Sequence, residues 1–190
     1  MKVGRYTTSP PFDVNTYVFE IDGTLYVIDP GEGISQFVSK PVVVLVTHGH
    51  CDHISGILEL DVRGLFISPE DAFMLTDPAA NLSSDFMDHP VIVDLPWESI
   101  DLHFRTLKVP GHTKGSRFII FDGVVFTGDT VFADTIGRID LGGSEEEMRT
   151  TLKKVKEFFK NLPEDWLVCP GHGEITTVGD LLKRNIFLGR

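Results

Sequence analysis

Thr47-His48-Gly49-His50-Cys51-Asp52-His53 follows directly on the run Val42-Val43-Val44-Leu45-Val46. Five consecutive aliphatic side chains read as a strand buried on both faces. Three imidazoles and a carboxylate at the end of such a strand constrain the chain more than any other feature. Neutral imidazole and carboxylate are good ligands for zinc, and also for iron or manganese. In an extended segment, residues two apart point the same way, so His48 and His50 can grip one cation together. Asp52 and His53 lie one step on, where a helix is expected to begin, and can face a second cation.

Three further candidates are His112 in Pro110-Gly111-His112-Thr113, Asp129 in Thr127-Gly128-Asp129-Thr130, and His172 in Pro170-Gly171-His172-Gly173. Each is preceded by glycine and follows a predicted strand. Glycine allows a sharp turn and a close backbone approach, and strand ends are rigid supports for ligands. A lone histidine is usually a surface or satisfied core residue; seven ligand-type residues in repeated settings are not. His89 and His103 fall outside the pattern and receive no role. Cys51 and Cys169 are too far apart in sequence to suggest a disulfide framework, and both read as small buried residues.

Around these residues, Val14 to Ile21 and Thr24 to Ile28 read as strands joined by the hairpin turn Asp22-Gly23. Ile54, Ile57 and Leu58 give helical spacing after His53, and Leu65-Phe66-Ile67 reads as a short strand. Pro69 suits the first turn of a helix to about Leu75. Residues 77–90 read as an irregular loop, either functional or an ordinary surface excursion. The segment from Ile100 to Phe126 reads as further strands, with a second hairpin turn at Asp122-Gly123. Ser144 with Glu147 is a capping box opening a helix to about Lys160, whose stripe of Met148, Leu152, Val155, Phe158 and Phe159 faces a core. Leu167-Val168-Cys169 is a late strand, and residues 178–187 a closing helix. The expected class is α+β, with two mixed sheets packed face to face and helices outside, in one domain spanning 1–190.

The sequence closely resembles the metallo-β-lactamase superfamily. The family's His-x-His-x-Asp-His pattern matches His48, His50, Asp52 and His53, and its later ligands match His112, Asp129 and His172. Asp29-Pro30-Gly31 and Gly137-Arg138-Ile139-Asp140 extend the resemblance over nearly the whole chain. It implies a four-layer αββα sandwich with metals at one edge. It also assigns His48, His50 and His112 to one ion, Asp52, His53 and His172 to the other, and Asp129 as the bridge. Asp52 would have a second duty, orienting the nucleophile or passing a proton. Asp29 would fix the ligand loop. Arg138 would either sit near the substrate or pair internally with Asp140.

Within the superfamily the chain looks like the compact relatives of glyoxalase II, on its Gly-His-Thr-x-Gly and Gly-Arg-x-Asp runs. The resemblance implies a hydrolase of a small thioester or ester that uses water activated by two divalent ions: zinc, with iron and manganese also fitting. Full glyoxalase II carries an additional C-terminal helical region that helps hold glutathione; residues up to Arg190 show no counterpart, so the thiol is left open. An iron-dependent persulfide dioxygenase or a lactonase on the same scaffold is the alternative. The net charge of -11 opposes a nucleic-acid partner and leaves a small-molecule substrate. No apolar run of about 18 residues predicts a spanning helix. The start, Met1-Lys2-Val3-Gly4-Arg5, leads into no apolar stretch, so a cytoplasmic location is expected.

Overall fold

Asp22 and Gly23, with φ of 50° and 79°, close a two-residue hairpin in the computed structural model, which describes residues 2–189. Both turn residues take the left-handed conformation that matches the twist of the flanking strands. The chain divides into one unit running to His103 and another from Phe104.

The first unit holds a six-stranded sheet with its strands in sequence order: β1 (Gly4–Thr8), β2 (Val14–Ile21), β3 (Thr24–Ile28), β4 (Val42–Leu45), β5 (Val62–Ile67) and β6 (Glu98–Ser99). The first three strands pair antiparallel, and β3 through β6 pair parallel. Val42, Val44 and Leu45 are buried, as the unbroken apolar run requires. They pack with Ile34, Ile54, Ile57 and Leu65 into one core. Short helices α1 (Cys51–Ile54), α2 (Ser83–Phe86) and α3 (Ile100–His103) complete the unit.

The second unit is a five-stranded sheet in the order β11-β10-β9-β8-β7. Its strands are β7 (Thr106–Lys108), β8 (Arg117–Phe121), β9 (Val124–Gly128), β10 (Leu167–Pro170) and β11 (Thr176–Thr177), with helices α4 (Glu145–Lys160) and α5 (Val178–Arg184). Strands β9 and β10 run parallel, and the other pairings are antiparallel. Val155 and Phe159 of α4 pack on Phe118, Val125 and Val168 of the sheet. Ser144 caps α4 as its sequence predicts, its hydroxyl accepting the Glu147 N–H at 3.3 Å. Ser144→Ala is expected to cost about 1 kcal/mol, and Ser144→Gly only a few tenths. Urea unfolding of the three proteins checks this; equal midpoints would remove the cap from the account.

Four expectations are corrected. Residues 77–90 are not wholly irregular, because they contain α2. Residues 100–103 are helical rather than strand: the alternation of Ile100 and Leu102 mimics a strand, but Ile100 is buried while Leu102 is 81% exposed. Leu58 does not continue an apolar face. Helix α1 stops at Ile54, and the next turn, Ile57–Glu59, is a 3-10 turn that buries Ile57 and leaves Leu58 outside. Finally, α5 ends at Arg184 rather than 187. The Asn185 side chain accepts the N–H groups of Phe187 and Leu188 and donates to the carbonyls of Phe132 and Thr135, which turns the chain out of the helix. Strand β1, at the edge of its sheet, was not foreseen.

Candidate metal centre

In the first unit the ligand-type residues stand at the carboxyl ends of adjacent parallel strands. Register pairs Ile28 with Leu45, so Asp29 leaves β3 beside the point where β4 leads into Thr47 and His48. The Asp29 carboxylate is buried and accepts the Thr47 N–H at 2.8 Å and its hydroxyl at 2.6 Å. The same carboxylate lies 3.0 Å from His53 Nδ1. Gly49 follows because nothing larger fits: a Cβ there would stand 2.7 Å from the Met74 Cβ. Its N–H is accepted by the buried Asp71 carboxylate at 3.1 Å. His50 then caps α1, whose Cys51 N–H is accepted by the Asn81 carbonyl at 2.9 Å.

These constraints gather four predicted ligands. The rings of His48 and His50 are 4.8 Å apart at 84°, and those of His48 and His53 4.1 Å apart. Asp52 Oδ2 is 3.6 Å from His53 Nε2.

The hydrogen-bond directions also set which imidazole nitrogen presents its lone pair. Thr47 has one hydroxyl proton, and the Asp29 carboxylate, which can only accept, takes it. The 3.1 Å contact of Thr47 Oγ1 with His48 Nδ1 therefore has the imidazole N–H as its donor. His53 Nδ1 faces the same Asp29 carboxylate at 3.0 Å, whose charge favours the proton on that nitrogen. In the neutral rings, Nε2 is then the donor nitrogen offered to a cation, the arrangement by which supporting oxygens orient metal-ligating histidines.

In the second unit the register of β9 and β10 brings Gly128 opposite Pro170, and the Gly171 N–H donates to the Gly128 carbonyl at 2.9 Å. Asp129 and His172 consequently emerge side by side. His112 follows Gly111, whose φ of 143° and close approach to the Met148 backbone exclude a side chain. His112 Nδ1 lies 2.7 Å from the Arg138 carbonyl, so it donates there and Nε2 again carries the lone pair. Asp129 Oδ2 is 3.7 Å from His112 Nε2 and 3.4 Å from His172 Nε2. One carboxylate oxygen therefore stands close to both imidazole donors. The donor set thus fits hard-to-borderline divalent cations in chemistry and in tautomer.

Arg138 itself turns its guanidinium onto Asp140, with contacts of 2.8 and 2.6 Å between exposed groups. That pairing holds the Asp140 carboxyl down at about 2. Of the two roles expected for Arg138, the internal pair is the one seen, and its backbone carbonyl orients His112. His103 pairs with Glu98 at 2.9 Å. The supporting roles of Thr47, Asp71 and Asn81 had no signal in local spacing, although a hydroxyl directly before His48 was a readable hint.

Cys51 and Cys169 are buried thiols outside any disulfide. Burial, reinforced by the neighbouring Asp52 charge, pushes the Cys51 thiol up to about 12. Both cysteines are expected to resist a disulfide-exchange reagent in the folded protein at mildly alkaline pH and to react on unfolding. Rapid modification of Cys51 in the native state would contradict this.

The metallo-beta-lactamase superfamily model matches residues 9–172, and the chain belongs to that superfamily. A probable metallo-hydrolase of Streptococcus pyogenes serotype M6 is 34% identical, over 86% of this chain and 81% of its own. A hydroxyacylglutathione hydrolase of Xanthomonas euvesicatoria is 31% identical, over 88% of this chain and 64% of its own. Among solved structures, BLEG-1, a B3 metallo-beta-lactamase, matches with a TM-score of 0.83 and 27% identity, covering 98% of this chain and 99% of its own. TTHA1623, solved in a di-iron-bound form, matches at 0.77 with 27% identity, covering 95% and 98%. The metallo-β-lactamase fold expected from the sequence is therefore the fold of this chain, and the Xanthomonas relative suggests the glyoxalase II-like branch. No helix among the described residues is long and apolar enough to cross a membrane.

Proposed function

We propose that the chain is a hydrolase of small thioesters or esters, working as one domain over residues 1–190 with two divalent cations. His48, His50 and His112 would hold one cation, Asp52, His53 and His172 the other, with Asp129 between them. When bound, such a pair makes water a nucleophile near neutral pH and draws negative charge from a carbonyl oxygen. Asp52, whose side chain is 14% exposed, orients the attacking water and takes its proton at the carboxylate. Asp29 and Thr47 keep His48 and His53 from rotating, so the donor nitrogens stay aimed during turnover. The observation that carries this reading is Asp129 Oδ2 between the Nε2 atoms of His112 and His172.

Zinc is the cation this donor set favours, and the di-iron form of TTHA1623 supports iron as the other metal to test. Purified protein loaded separately with each metal is assayed on acylthiols, simple esters and lactones, with oxygen uptake followed on a thiol persulfide. The expected result is acylthiol hydrolysis that a chelator abolishes and the metal restores. Oxygen uptake dependent on ferrous iron, without hydrolysis, would overturn the reading in favour of a dioxygenase.

A further inference from the structure

A cavity of about 630 Å³ lies within the first unit and is not used by the proposed reaction. It falls in the size range of small-molecule sites. Phe12, Phe37 and Phe86 line it, with the carboxylates of Glu32 and Asp88. Among the described residues that line it there is no lysine or arginine, and His89 is the sole basic side chain. Phe37 and Phe86 keep 50% and 48% of their surface exposed, aromatic area that water does not favour. Phenyl faces are negative at the centre of the ring and attract a cation, most strongly a poorly hydrated one. Carboxylates add to that attraction and repel carboxylate or phosphate ligands.

The walls are built rather than loose. Phe37 stacks on Tyr6 with ring centroids 4.7 Å apart. The Glu59 carboxylate clamps the turn that leads into Phe37, accepting the Gly33 N–H at 2.8 Å and both the N–H and the hydroxyl of Ser35, at 3.1 and 2.7 Å. The Glu32 N–H is shared by the hydroxyls of Ser9 and Ser55 at 2.8 and 2.9 Å, while the Ser9 N–H donates to the Glu32 carbonyl at 2.9 Å. Ser9 also donates its hydroxyl to the Asp52 carbonyl at 3.0 Å. Cavity wall and ligand-bearing helix α1 therefore form one hydrogen-bonded piece. A further wall comes from Phe86 to His89, in the segment that the catalytic reading leaves without a task.

We propose that this cavity binds an organic cation, a protonated or quaternary amine carried on an apolar body. The inference does not depend on the metal centre. The cation is either a free amine or the charged end of a larger substrate.

The test titrates purified protein with benzyltrimethylammonium, benzyl alcohol and phenylacetate, following backbone amide resonances by NMR. The expected result is saturable binding of the ammonium, at least about ten-fold tighter than either comparator, with shifts centred on Phe12, Glu32, Phe37 and Phe86. Glu32→Gln and Phe37→Leu should each weaken it roughly three- to ten-fold. Phe86→Leu, on a separate exposed segment, serves if either variant fails to fold. Equal binding of the three probes, no saturation by about 10 mM, or affinity unmoved by these variants would overturn the proposal. Competition between the ammonium and ester turnover would identify the cation as part of the substrate. Binding without competition would identify a separate small molecule, and both outcomes sustain the site.

Discussion

Asp129→Ala is expected to leave the chain folded and unable to hold the proposed cation pair. Metal analysis should fall from two ions per chain to one or fewer, and kcat/KM on the best acylthiol should drop by on the order of 10² to 10³, the scale of losing one charge-stabilising group. The reason is local. Asp129 Oδ2 stands within 4 Å of both His112 Nε2 and His172 Nε2, on backbone fixed by the β9–β10 register. Asp129→Asn is the sharper version, because it keeps the shape and removes the charge that offsets two cations. If either variant retained two ions per chain and full turnover, Asp129 would have no part in the centre.

The second large effect comes from a residue with no side chain. Gly137→Ala would put a Cβ 1.6 Å from the Asp129 carbonyl oxygen and 3.3 Å from His112 Nδ1. Neither backbone nor a ring already tied to the Arg138 carbonyl can give way cheaply. The expected loss is about 3 kcal/mol or more, at or beyond the upper end of overpacking costs, together with weakened metal binding. Gly142→Ala is the comparison. Its φ of 85° makes alanine costly by roughly 1 kcal/mol, but no atom lies within 4 Å of the added carbon, so metal binding should be unchanged. Thermal unfolding and metal titration of both variants separate the cases. Equal effects would mean that the approach at Gly137 does not shape the ligand loop.

The sequence revealed the parts of this chain that local chemistry determines. An unbroken aliphatic run made β4 legible, Asp-Gly pairs marked the β2–β3 and β8–β9 hairpins, and a capping box marked the start of α4. The ligand residues were readable because four of them crowd into six positions and the others repeat one strand-then-glycine setting. What stayed hidden depends on partners distant in sequence. Thr47 and Asp29 are 18 residues apart, Ser9 and Asp52 43 apart, and no spacing rule connects them. Strand β1 was missed because its sheet-edge residues alternate only weakly. Residues 100–103 were misread because alternation over so few residues fits a strand and a helical turn equally well. Arg138 shows the other kind of limit: its motif fits a substrate contact and an internal ion pair alike, and only the folded chain turns its guanidinium onto Asp140.

Anomalous diffraction from crystals grown with zinc, measured across the zinc edge, tests the central claim most directly. The account predicts two peaks per chain about 3.5–4 Å apart. One would touch His48, His50 and His112, the other Asp52, His53 and His172, with Asp129 in contact with both. Peaks seated away from these side chains, or a cation that His112 and His172 do not approach, would contradict it.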